Sequence, residues 1–278
     1  VAVGSFIPGG VNRVILATDG DFNVGITNQQ ALVKLIQEKA RSKVFLSVLG
    51  FGMGNYKDAT LEQLANKGNG NYAYIDTLNE ARKVLVEQLS GTLVTIAKDV
   101  KIQVEFNPAR VAAYRLIGYE NRLLKARDFD DDTKDAGEIG AGHTVTALYE
   151  IVPAGGALPP ELRLKYQQPT RLTRAARTAE LMTVKLRYKE PEAETSQLLE
   201  LPVPWRERAM EAASPDLRFA AAVAWFGMVL RGSPHAGTAR DPLREVHALA
   251  QAGRGADPHG YRAEFFELVQ LARELVQR

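Results

Sequence analysis

Asp19 is the residue whose type and setting point most directly to chemistry. It closes the run Val14-Ile15-Leu16-Ala17-Thr18 and precedes Gly20. A glycine there lets the chain turn sharply and leaves the preceding carboxylate at the rim of a sheet. Such a carboxylate is a hard oxygen donor suited to Mg²⁺, which prefers near-octahedral oxygen coordination and keeps several waters. Asp21 and Asn23 follow closely, with no role that the spelling assigns. The plainer alternative is a strand-ending Asp-Gly turn that binds nothing.

The other chemistry-bearing groups read as structural. Asp128, Asp130, Asp131 and Asp132 form an acidic run without the glycine and distal glutamate of an EF-hand loop, so a solvated loop is expected. Gly50-x-Gly52-x-Gly54 lacks the spacing of a dinucleotide fingerprint and reads as a tight rim loop. His143 stands beside Gly140 and Gly142, just before a strand; a catalytic histidine there would need a nucleophile or metal within hydrogen-bond reach. His235, His247 and His259 show no metal-ligand spacing, and Ser196, Ser214 and Ser233 lack a nucleophile-elbow context. Arg163, Arg171, Arg174 and Arg177 make a basic loop that is solvated or meets an acidic partner. Trp205 and Trp225 are expected in packing rather than as ligand platforms.

The elements that must position Asp19 can be read from periodicity. Val14 to Ala17, Val44 to Leu49 and Tyr72 to Ile75 are short continuous apolar runs, which suit strands buried on both faces. A helical pattern follows each: Leu32, Ile36 and Ala40; then Leu61, Leu64 and Ala65; then Ala81, Val84, Leu85 and Leu89. Thr27-x-x-Gln30, Thr60-x-x-Gln63 and Thr77-x-x-Glu80 are spelled as capping boxes for them. This βαβαβα order predicts a parallel sheet with ligands beyond its strands' carboxyl ends, at Asp19, at residues 50–56 and at Asp76.

After about residue 95 the pattern changes to period-2 alternation. Val100, Ile102, Val104 and Phe106 alternate with Lys101, Gln103 and Glu105; Val145 to Ile151 and Met182 to Tyr188 do the same. This predicts antiparallel strands with one wet face. Residues 153–177 between them read as a long loop. Ser214-Pro215 and Asp241-Pro242 then spell two helix starts, and Phe265, Leu268, Val269 and Ala272 mark a third helix. The expected organisation is therefore a parallel α/β portion over 1–95, a sandwich-like β-rich domain over 96–205 and a helical region over 206–278 packed on it.

Composition bounds the function. With 45% hydrophobic and 24% charged residues the chain can build a globular core. A net charge of +2 provides no field for nucleic acid or an anionic membrane. No apolar run approaches a membrane span; Phe219 to Leu230 reads as a core helix. The absence of cysteine excludes disulfides and thiolate chemistry here. The opening Pro8-Gly9-Gly10 loop running into a strand, without an initiating methionine, reads as the start of a fragment.

Ile15-Leu16-Ala17-Thr18-Asp19-Gly20 resembles the strand and loop that carry the last aspartate of the metal-ion-dependent adhesion site (MIDAS) in von Willebrand factor A domains. Val48-Leu49-Gly50-Phe51-Gly52, Leu61-Glu62-Gln63-Leu64-Ala65 and Gly68 to Ile75 resemble the following strand, helix and strand. Thr18 to Gly25 together with Gly142 to Glu150 are similar to the bacterial YfbK-like proteins, which join such a domain to an uncharacterised C-terminal region. The resemblance implies a protein-binding module with Mg²⁺ or Mn²⁺ at the sheet edge, completed by a partner's acidic side chain. It implies a setting in the bacterial cell envelope or periplasm, and a membrane anchor upstream is compatible with it. Only Asp19 maps onto a ligand position, often one acting through water; the Asp-x-Ser-x-Ser loop and the threonine of the family site are not in this chain. Metal is expected in the full-length protein and weakly or not at all in this piece. The alternatives are a metal-free envelope scaffold and a metal-dependent hydrolase using Asp19, Asp21 and His143.

Overall fold

The three apolar runs form a parallel sheet ordered β1-β2-β3, with β1 at Arg13–Thr18, β2 at Phe45–Phe51 and β3 at Tyr72–Ile75. The computed structural model describes residues 2–19, 28–52, 58–119, 123–134, 136–157 and 172–276. Thr18 lies opposite Gly50, and Phe51 opposite Ile75, so the three strands end together. Successive residues of a strand face opposite sides. Val48 accordingly meets Leu61, Leu64 and Ala65 of α2 (Asp58–Lys67), with Leu32, Val33 and Ile36 of α1 (Gln29–Ala40) against them. Leu49 turns the other way, to Ile75, Ala81 and Val84 of α3 (Leu78–Arg82) and the π-helical turn Lys83–Glu87 after it. A further short helix, α4, spans Leu89–Leu93. Gly70 ends the connection into β3; a Cβ there would lie 2.0 Å from the Leu46 carbonyl oxygen, so only glycine lets the two backbones approach.

Three expectations are corrected. β1 is not buried on both faces: Val14 and Ile15 are 38% and 43% exposed, because β1 is an edge strand with one neighbour among the described residues. Asn28 caps α1, accepting from the Ala31 N–H at 3.0 Å; Thr27 lies outside the described residues. Thr60 is interior to α2, which is already helical at Asp58. Asparagine ranks above threonine as a cap, which agrees with the start at Asn28. Thr77 does cap α3, accepting from the Glu80 N–H at 3.2 Å.

The second sheet has the order β6-β4-β8-β9, with β4 at Thr95–Phe106, β6 at Gly137–Gly140, β8 at Glu180–Lys189 and β9 at Gln197–Pro204. β4 and β6 are antiparallel, and their register shifts between Ala97 and Val100. Asp99 sits in that bulge with φ of 51°, a left-handed conformation that aspartate tolerates better than most residues. A two-stranded antiparallel sheet joins β5 (Val111–Ile117) to β7 (Leu148–Pro153). Three helices follow: α5 (Pro215–Leu230), α6 (Pro242–Ala252) and α7 (Tyr261–Val276). Ser214 and Asp241 cap α5 and α6 as their spellings predict, accepting from Leu217 N–H at 3.2 Å and Arg244 N–H at 3.0 Å.

The chain forms two compact units, both discontinuous in sequence. One comprises Val1–Val104, Leu124–Thr144 and Val184–Leu201; the other comprises Glu105–Leu123, Val145–Thr183 and Pro202–Arg278. The first holds the parallel sheet and most of the β6-β4-β8-β9 sheet. The second holds β5, β7 and the three helices α5, α6 and α7. Its core is Leu243, Val246 and Val269 with Trp225, Phe226 and Phe265, and the Trp225 indole N–H donates to the Ala236 carbonyl at 2.8 Å. Trp225 is thus in packing, as its sequence context predicts. Among the described residues no helix is long and apolar enough to cross a membrane.

Candidate site at the strand ends

Parallel strands that stop in register bring their following residues to one rim. Asp19 follows β1 and is exposed. Gly52 follows β2 with φ of 103°, a backbone that favours glycine, and a Cβ there would stand 3.7 Å from Asp19 Cβ. The Gly52 carbonyl accepts from the Tyr74 hydroxyl at 2.7 Å, tying the β2 loop to β3. Asp76 follows β3 and is exposed. The rim therefore presents two carboxylates on the outer strands and a fixed carbonyl between them. Asp21, Asn23 and Gly54 lie outside the described residues.

Among the described residues no group of three or more histidine, cysteine, aspartate or glutamate side chains could hold a metal. Asp19 alone does not fit a resident divalent cation, which needs a near-octahedral oxygen set. His143 is exposed, and its backbone N–H closes a turn onto the Gly140 carbonyl at 3.1 Å. Arg174 and Arg177 are exposed at a single 3₁₀ turn; Arg163 and Arg171 lie outside the described residues.

The acidic run behaves differently from the expected solvated loop. Lys189 and Lys101 are 6% and 3% exposed. The Lys189 ammonium donates to Asp99 Oδ2 at 2.7 Å and to the Asp132 carbonyl at 2.9 Å. Lys101 donates to the Asp131 carbonyl. The Arg187 Nε–H donates to Asp132 Oδ1 at 3.3 Å, and the Ser196 hydroxyl donates to the same oxygen at 2.6 Å. The Ser196 bond, with help from Arg187, holds the Asp132 carboxyl down at about 2 although partial burial opposes this. Burial pushes the Lys189 ammonium down, but its bond to Asp99 together with the charges of Asp99, Asp132 and Glu194 outweighs that, and its pKa is raised. The loop is a lid of carbonyls and carboxylates over buried cations, and its carboxylates are spent on protein donors. Periodicity could not reveal this, because alternation says which residues share a face and not which face is covered.

Residues 91–275 match the family model described as "Uncharacterized protein YfbK, C-terminal". The chain is 45% identical over 271 residues to the protein described as "Uncharacterized protein YfbK" of Escherichia coli (strain K12), covering 98% of this chain and 46% of that relative. It thus spans less than half the length of the relative. Two solved structures show distant likenesses. The human COPII-coat protein Sec24c gives a TM-score of 0.41 at 12% identity, covering 86% of this chain and 32% of that one. A von Willebrand factor type A protein from Catenulispora acidiphila gives 0.38 at 16% identity, covering 90% and 57%. With a family model spanning residues 91–275 and close identity along nearly its whole length, the chain belongs to the YfbK family.

Proposed function

We propose that this chain is part of a non-enzymatic protein-binding module whose binding face is the rim at the ends of β1, β2 and β3. The observation that carries this reading is Asp19, an exposed carboxylate beside Gly52 where the parallel strands stop together. In the longer family protein Asp19 contributes one oxygen, directly or through water, to a Mg²⁺ or Mn²⁺ site. The remaining donors come from outside the described residues, and an acidic side chain of a protein partner completes the set. The von Willebrand factor A resemblance of residues 15–20 and 48–75 supports this assignment and a bacterial envelope setting.

A metal-free scaffold is the second reading, favoured by the lack of a three-ligand set among the described residues. A hydrolase built on Asp19, Asp21 and His143 has no comparable support, since His143 sits in an exposed turn with its backbone bonded to Gly140. Calorimetry with Mg²⁺ and Mn²⁺ on the longer family protein separates the first two. Binding that weakens by about tenfold or more in the Asp19→Ala variant is expected, as for groups that position a metal. An intact longer protein that binds neither cation sinks the metal reading and leaves the scaffold.

A further inference from the structure

The ends of α5 and α7 and the start of α6 border a cavity of about 660 Å³. Clefts of that size suit a small organic ligand. Its lining is of two kinds. Val229 of α5, Pro242 of α6 and Val276 of α7 are apolar, and Arg240, Arg244 and Arg273 bring guanidinium groups. Asp241 and Glu245 also line it, so three cations stand against two carboxylates and the lining carries excess positive charge. Asp241 is already occupied: its Oδ1 accepts from the Arg244 backbone N–H at 3.0 Å and its Oδ2 from Arg273 Nη2 at 3.1 Å. Arg273 keeps unused capacity, because its Nε–H is buried and has no acceptor among the described residues. A buried donor left without a partner calls for an explanation, and an absent ligand is one. The Arg240 and Arg244 side chains are exposed and have no ion-pair partner among the described residues. Exposed arginines by themselves are ordinary. What marks this set is an apolar-walled cavity beside it and a third guanidinium with a buried, unused donor.

We propose that this cavity binds a small organic oxyanion. A carboxylate or phosphate monoester head sits among Arg240, Arg244 and Arg273, and a short aliphatic body lies against Val229, Pro242 and Val276. Both heads present paired oxygens that match the planar fork of a guanidinium, which a single ammonium would not. The apolar wall adds affinity for the body and sets such a molecule apart from a bare inorganic anion. This site uses no residue of the strand-end rim and needs no metal, so it stands apart from the binding-module reading.

Calorimetry on the 278-residue chain tests it, in about 0.15 M salt so that attraction between well-separated exposed charges is screened. The probes are hexanoate, hexyl phosphate and, as the neutral control, hexanol. At least one of the two anions should saturate a single site, the tighter one showing which head the site selects. Hexanol should bind about tenfold more weakly or worse, since hydrogen bonds to charged groups are the stronger kind. The Arg240→Gln/Arg244→Gln double variant alters exposed side chains only, so it should keep its urea midpoint and lose about tenfold or more in affinity. Val276→Asp, at a position 76% exposed, should weaken binding independently by placing a like charge on the apolar wall. No binding of either anion overturns the proposal. So does hexanol binding as tightly as the anions, or unchanged affinity in either folded variant. Failure of metal binding at the rim would leave all of these outcomes unchanged.

Discussion

Burying a lysine to 3% exposure costs free energy unless its ammonium finds acceptors: Lys101 donates to the Asp131 carbonyl, and Lys189 to the Asp132 carbonyl and the Asp99 carboxylate. The acidic run is thus an internal counter-charge. Asp132 gives this a measurable signature. Its folded pKa, about 2, lies below the ordinary 3.8, so its stabilising contribution is present above 3.8 and is lost as pH falls toward 2. Urea midpoints should decline in that window. Asp132→Asn should lower the midpoint at neutral pH and flatten the acid decline. The flattening is partial, because Asp131, held down by its bonds to Thr133, and Asp257, held down by backbone donors against burial, also titrate low. A variant with the wild-type slope would show that Asp132 is not the titrating anchor. Lys189 has the opposite sign: its raised pKa adds stability below 10.5 that is lost at still higher pH.

Elements are fixed by close approach as much as by propensity. The parallel sheet depends on Gly70, whose absent Cβ leaves room for the Leu46 carbonyl. Gly70→Ala forces backbone apart beside Val48, Leu61 and Leu64, which are fully buried. The expected loss is ~3 kcal/mol or more, read as a fall in chemical-denaturation midpoint. A loss within ~0.5 kcal/mol would mean that the loop relaxes freely and that the β2–β3 approach is not tight. The β1 edge contrasts with this. Its Val14 and Ile15 are half-exposed although their spelling is that of an interior strand, and Arg13 anchors it through Ser47 Oγ at 2.7 Å and Thr95 Oγ1 at 3.1 Å.

The whole molecule is threaded so that neither unit is a continuous piece of chain. Residues 96–205 supply strands to both units, and the partners of one buried charge are scattered along the sequence. A fragment comprising residues 1–104 keeps β1, β2 and β3 but loses the loop that bonds Lys101 and the lysine that bonds Asp99. Such a fragment should unfold at clearly lower urea than the whole chain and with a broader transition, followed by circular dichroism. A fragment as stable and cooperative as the whole would show that the α/β portion folds without the second sheet.

The sequence by itself determined the local order: three βα repeats, the caps at Thr77, Ser214 and Asp241, the three C-terminal helices and the placing of Asp19 after an apolar strand. These are set by near-neighbour forces, namely side-chain periodicity, capping hydrogen bonds and proline's fixed φ, and each is legible within a dozen residues. Of the strands after residue 95, alternation marked β4, β7 and β8 but not β5, β6 or β9; β6 is four residues long and β9 is exposed along nearly its whole length. Only the tertiary structure decided that Lys101 is buried while Ile102 beside it is exposed. Alternation divides a strand into two faces identically whichever face is covered. The choice rests on a loop whose Asp131, 30 residues away, brings its carbonyl to the Lys101 ammonium, an interaction that no local pattern encodes.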